Sequence, residues 1–323
     1  MKFQNVAVAE SEGLLLAHTL SSGEYKLSKG RPISYEDVQK LTLAGAPTVA
    51  AVELSHDDIN ERDAAIRIAE ALQGNGLYLD LKPSGSVDLR AIDDGLLLID
   101  KNVIDGCNLL AESVTIATQL PNRRTAKGER VATVKVIPYA VASHVVETIC
   151  QCLNRYDDVI AVKRFQALKV GLIQTEKRHQ RDPKLEKTQQ VIQQRLQPVS
   201  AAIESVTVCD HSSVAIQQAI TEQKNSHCDV IVIVSPTATV DRDDLVPASI
   251  KQMGGQIEHY GMPVEPGHML LLAYSDSTPI IGAPTCIRSP RDNGFDRLLD
   301  RLACGLSVRG TDIMKMGVGG LLV

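Results

Sequence analysis

Apolar residues follow two rhythms along this chain, and the change between them divides it. In the second half, short runs of consecutive apolar residues alternate with stretches in which apolar residues recur three or four apart. The runs Leu168 to Ile173, Val206 to Cys209 and Val230 to Val234 are bounded by polar residues and predict strands, the last of them buried on both faces. Between the first two, Leu185, Thr188, Ile192 and Leu196 fall on one face of a helix over 184–196, which Pro198 ends. Ser212 to Gln223 and Asp243 to Met253 predict two more helices, the latter starting near Leu245 or Pro247 and stopped by Gly254-Gly255. Strands at 257–260, 269–274 and 279–281 and a helix at 294–303 complete the series. Strands alternating with helices predict a doubly wound, mostly parallel α/β sheet.

The first half has another texture. Gly13 to His18 and Thr48 to Leu54 read as strands, and Ser34 with Asp37 three residues on reads as the capped start of a short helix. A second helix runs over Ala64 to Leu72 with Gly74 as its stop. From Gly76 to Val141 the pattern is β-like, with strands at 96–99, 113–119 and 131–137 and a solvated hairpin loop over Pro121 to Arg130. A helix over 145–153 follows, and 155–166 reads as a seam. The expectation is a strand-rich α+β region over 1–166 and an α/β domain over 167–323, since 323 residues exceed one average domain.

Composition narrows the function classes. Aromatic residues make up 3% of the chain and Trp is absent, so the core is aliphatic and stacking platforms for single-stranded nucleic acid are not expected. A net charge of −5 also argues against a nucleic-acid partner. The seven cysteines are scattered, with no C-x-x-C pair, as in free thiols of a reducing compartment. With no apolar leader and no run of membrane-spanning length, a cytoplasmic protein without membrane contact is expected. The histidines form no metal cluster in sequence; His56 beside Asp57, Asp58 and Glu61 fits a solvated helix start.

Candidate chemistry gathers behind the Val230 to Val234 run. Ser235-Pro236-Thr237-Ala238-Thr239 is a small-residue turn, and Asp241-Arg242-Asp243-Asp244 leads into a helix. In open α/β sheets ligands sit beyond the carboxyl ends of the strands, where helix N-termini present free N–H groups. Ser235, Thr237 and Thr239 are candidates for orienting a phosphate-bearing ligand. Asp241, Asp243 and Asp244 are candidates for accepting N–H groups of a ligand or for holding a Mg²⁺ ion if a nucleotide is used. The same residues also fit a plain structure in which Asp243 or Asp244 caps the helix and Arg242 pairs with a carboxylate.

The order strand, small-residue turn, Thr, Arg-Asp, helix resembles the molybdopterin-binding domain family of MogA, MoaB and MoeA type. Thr237, Arg242 and Asp243 match the family's residues; Ser235, Pro236 and Ala238 stand where its turn has glycines. Gly261 to Met269 is similar to the family's loop ending in Pro-Gly. Pro284-Thr285-Cys286-Ile287-Arg288-Ser289 and the tail Met316 to Leu322 resemble a MoeA-like subgroup, whose N-terminal half also has counterparts here in Leu16-Ala17-His18, Lys29-Gly30-Arg31 and Asp58 to Glu61. The resemblance implies a pterin ligand, molybdopterin or its adenylylated form, held by Ser235, Thr237, Thr239, Arg242 and Asp243 with Pro284, Thr285, Cys286, Arg288 and Ser289 opposite. It implies a role in molybdenum cofactor biosynthesis or handling, as a relative of molybdopterin adenylyltransferases and molybdenum insertases, with Mg²⁺ and ATP if catalytic, in a homo-oligomer. Two other classes stay open: a metal-dependent pyrophosphatase of ADP-ribose-like nucleotides, and a non-catalytic carrier or sensor.

Overall fold

The computed structural model describes residues 1–22, 25–177 and 183–322. The chain is mixed α/β and divides into two compact units, Met1–Lys163 and Arg164–Val323.

In the first unit the main sheet is antiparallel, in the order Val114–Thr118, Arg130–Val136, Val87–Ala91, Leu77–Leu81. Alternation drives one face inward: Val87, Leu89 and Ala91 pack with Ala65 and Ile68 of helix Glu61–Leu72 and with Ile149 of helix Ser143–Leu153. A smaller cluster joins Leu41 of helix Tyr35–Leu43 to Val49 and Ala51 of strand Thr48–Glu53. The expected cap of that helix is present, with Ser34 and Asp37 bonding reciprocally.

Three features depart from the sequence reading. The strand expected over Gly13 to His18 shrinks to Leu15–Leu16. Lys101–Leu110, inside the stretch read as β-like, is a helix capped by Asp100 and buried through Val103, Ile104 and Cys107. The seam carries strand Ile160–Arg164, which pairs in a second small sheet with Gly95–Ile99.

The second unit is built on one six-stranded sheet. Its strands are β1 (Leu168–Glu176), β2 (Ala201–Asp210), β3 (Val230–Val234), β4 (Gln256–Tyr260), β5 (Leu271–Ser275) and β6 (Thr278–Gly282). The spatial order is β2-β1-β3-β6-β5-β4. β2, β1, β3 and β6 run parallel; β5 is antiparallel to both its neighbours. The helices are α1 (Leu185–Leu196), α2 (Ser213–Asn225), α3 (Leu245–Gln252), α4 (Gly294–Ala303) and a short α5 (Gly310–Met314).

Every residue of β3 is buried, as its unbroken β-branched run requires. Ile231 and Ile233 share one cluster with Ile216 and Ile220 of α2 and Val246 and Ile250 of α3. The alternate residues Val230, Val232 and Val234 are equally buried on the other face. α1 buries Leu185, Thr188, Ile192 and Leu196, the face read from their spacing.

One buried charge fixes the chain beyond β6. Arg195 of α1 donates to the Asp296 carboxylate at 2.5 Å, to Arg291 O at 2.6 Å and to Ser289 O. Only 4% of its side chain is exposed. Asp296 simultaneously accepts the Asn293 N–H at 2.8 Å and completes the capping box of α4. Two glycines mark where the packing leaves no room for a side chain. A Cβ on Gly294 would lie 2.2 Å from Met262 Sδ, and one on Gly320 would lie 2.2 Å from Pro263 O. The latter contact seats the tail: Glu265 N–H donates to Gly320 O and Leu322 N–H to Glu265 O, both at 2.8 Å.

Two losses of stability are expected in urea unfolding. Ile233→Ala should cost about 2–5 kcal/mol through transfer and cavity terms. Arg195→Met should cost about 3–5 kcal/mol, because it leaves the Asp296 carboxylate buried without its partner; a loss under about 1 kcal/mol would assign the pair to the surface class.

Candidate functional site

The parallel strands β2, β1, β3 and β6 end on one edge of the sheet, and the segments that follow them meet there. Behind β3, the turn Ser235–Thr239 uses no left-handed residue, so Ser235, Pro236 and Ala238 adopt it without the freedom of glycine. Ser235 and Thr239 are buried and Thr237 is exposed. Pro236 has no N–H, but among the described residues the N–H groups of Thr237, Ala238 and Thr239 find no protein acceptor. Tyr260 O–H anchors the turn from β4 by donating to Thr239 O at 2.8 Å.

The acidic stretch that follows is organised as a helix start. Asp244 is the N-cap of α3; its carboxylate accepts the Leu245 N–H at 2.6 Å and the Val240 N–H at 3.0 Å. Asp241 accepts the Asp243 N–H at 2.8 Å. Asp243 pairs with Lys251 at 2.7 Å on the outer side of α3, and that ammonium holds its carboxyl below the usual range. Helix α3 thus begins at Leu245, leaving Asp243 outside it. Arg242 donates to Ile257 O of β4 at 2.9 Å. Among the described residues no group of three or more His, Cys, Asp or Glu side chains is arranged to hold a metal ion.

The chain behind β6 forms the facing wall. Ala283 N–H donates to Ile233 O at 2.9 Å, and Thr285–Arg288 makes a single 3₁₀ turn closed by Ile287 N–H on Pro284 O. Pro284 is buried, Thr285 exposed, and Cys286, Arg288 and Ser289 lie between. Burial pushes the Cys286 thiol up, away from the thiolate that a nucleophile needs. Arg288 crosses to the first turn, its guanidinium donating to Ser235 O at 3.4 Å. Ser289 is held by Arg195 through its carbonyl.

The structure therefore brings Arg288 to Ser235, on the turn that also carries Thr237 and Thr239, and turns Arg242 and Asp243 to other partners. It also adds a pair that the sequence reading did not join. His211, the first residue beyond β2, places Nδ1 2.9 Å from Oγ1 of Thr175 near the end of β1. Burial holds its pKa below the usual value, against the pull of Asp244. Ser212, the next residue, caps α2. Only the sheet register links residues 36 apart in this way.

Elsewhere, Pro121 to Arg130 contains a short pairing of Arg124–Thr125 with Leu96 and Gly95, and Arg123 pairs with Glu129 at 3.0 Å. His56 is fully exposed against Asp57. No described helix is long and apolar enough to cross a membrane.

No protein-family model matches this chain, and no curated protein sequence matches it. Among solved structures, it is similar to the molybdopterin biosynthesis MoeA protein of Pyrococcus horikoshii, at 12% identity over 94% of this chain and 75% of that one, with a TM-score of 0.32. It is similar to the molybdopterin biosynthesis enzyme MoaB of Thermus thermophilus, at 13% identity over 42% of this chain and 89% of that one, TM-score 0.31. The tungsten cofactor synthesizing protein MoaB of Pyrococcus furiosus matches at 12% identity over 43% of this chain and 92% of that one, TM-score 0.29. All three are named as MoeA or MoaB proteins.

Proposed function

We propose that this protein binds molybdopterin or its adenylylated form and takes part in molybdenum cofactor biosynthesis or handling. The binding domain in this reading is 167–323, and 1–166 is a MoeA-like N-terminal region. One observation carries the reading: the N–H groups of Thr237, Ala238 and Thr239, which find no acceptor among the described residues, lie in the turn whose first residue, Ser235, is reached by the Arg288 guanidinium. Backbone donors and a guanidinium are a phosphate-binding set, and the hydroxyls of Ser235, Thr237 and Thr239 can orient an attached ring. Pro284 and the 3₁₀ turn behind it form the second wall. Arg242 and Asp243 join the set only if ligand draws them from Ile257 O and Lys251.

Binding rather than turnover is the stronger form of the proposal. The carboxylates of Asp241, Asp243 and Asp244 are engaged at the start of α3, and the Cys286 thiol is raised. Incubation with ADP-ribose and related pyrophosphates in Mg²⁺ or Mn²⁺ should therefore release no product; steady turnover would favour the pyrophosphatase class.

Calorimetric titration with molybdopterin should give saturable binding at micromolar ligand. Arg288→Ala should weaken it about 10- to 100-fold, the range for one charge-assisted hydrogen bond, and Thr237→Ala by up to about tenfold. Absence of saturation in the unaltered protein overturns the proposal.

A further inference from the structure

His211 is held at two points on the end of β1. Its backbone N–H donates to Glu176 O at 2.7 Å, and its Nδ1 lies 2.9 Å from Thr175 Oγ1. Thr175 is 0% exposed, and the described residues give its hydroxyl no other partner. A hydroxyl carries one hydrogen that must find an acceptor when water is excluded. The acceptor available is the bare Nδ1 lone pair. The imidazole hydrogen then sits on Nε2, for which the described residues offer no acceptor. The reverse tautomer would point Nδ1–H at Thr175 and orphan the buried O–H.

The surroundings keep this ring uncharged. Burial disfavours the imidazolium, and Lys177, just beyond β1, adds to that. Asp244 at the α3 cap works in the opposite direction, and Glu176 and Asp210 flank the site at the strand ends. His211 also directly precedes the N-cap of α2, an end of a helix that repels a cation.

In the β1–β3 register Gln174 faces Val234, so Thr175 stands beside Ser235, the first residue of the candidate turn. We propose that His211 is a neutral Nε2–H donor to an oxygen of the ligand bound at this turn, with Thr175 setting its tautomer. The ligand is that of the binding reading above, so the assignment rests on it. The oxygen is either the pterin ring carbonyl or a phosphate oxygen; both accept from a neutral N–H.

Two measurements test it. In the ligand-free protein, long-range ¹H–¹⁵N spectra of labelled histidine should show His211 protonated at Nε2 and bare at Nδ1 near pH ~7. Thr175→Val should mix the two tautomers. An Nδ1–H form or an imidazolium in the unaltered protein overturns the proposal without any ligand. Titration with molybdopterin supplies the second readout. His211→Gln, whose amide nitrogen falls near Nε2, should bind within about threefold of the unaltered protein, and His211→Asn and His211→Ala about tenfold more weakly, the loss of one hydrogen bond. Neopterin and inorganic phosphate separate the two oxygens, since only the probe held by His211 loses affinity in His211→Asn. Unaltered protein that binds while all variants match it overturns the His211 assignment alone. Unaltered protein that binds none of the three probes overturns the binding reading, and the ligand role of His211 with it.

Discussion

A guanidinium removed from water holds one wall of the candidate site in place. Arg195 reaches from α1 to a carboxylate and two carbonyls, and each contact lies on the segment between β6 and α4 or at the start of α4. Burying a charge is unfavourable unless its hydrogen bonds are met, and here Nε finds no partner among the described residues. The arrangement therefore favours one geometry more than it favours stability. Because Asp296 serves both Arg195 and the cap of α4, the helix start and the loop before it are positioned together. Arg288 lies on that loop, so its approach to Ser235 follows from an ion pair inside the core.

Much of the second unit was legible because its rhythm is uniform. Val230 to Val234 reads as a doubly covered strand, as it is, and α4 spans the residues its periodicity marks. β2 extends further than read, to Ala201, because Ala202, Glu204 and Ser205 interrupt the apolar run while pairing with β1 carries on across a one-residue register shift at Glu204. Helix Lys101–Leu110 was not legible. Asn102, Gly106 and Asn108 are poor helix formers, and burial of Val103, Ile104 and Cys107 against the first unit's core overrides them.

The site shows the same division. The small-residue turn and the helix behind it could be read directly, since both are local. Hydrogen-bond partners could not. Arg242 chooses a carbonyl on β4 and Asp243 a lysine two turns along α3, although nearer opposite charges exist in sequence. Thr175 and His211 meet only because two parallel strands end at the same height. Arg195 carried a faint signal: it falls three residues after Ile192 and seven after Thr188, on the face that α1 buries. A charge on such a face is a candidate for a buried tie.

The contact of Gly320 with Pro263 sets how this molecule can vary over time. Its tail and the loop it crosses are spaced for a hydrogen atom, so any side chain at 320 must move one backbone off the other. Thr285, which is exposed on the wall of the site, carries no such restriction. Mutational drift is thus free to retune the face proposed to meet a ligand while the seam behind it stays fixed, a separation that would let specificity change without refolding the scaffold.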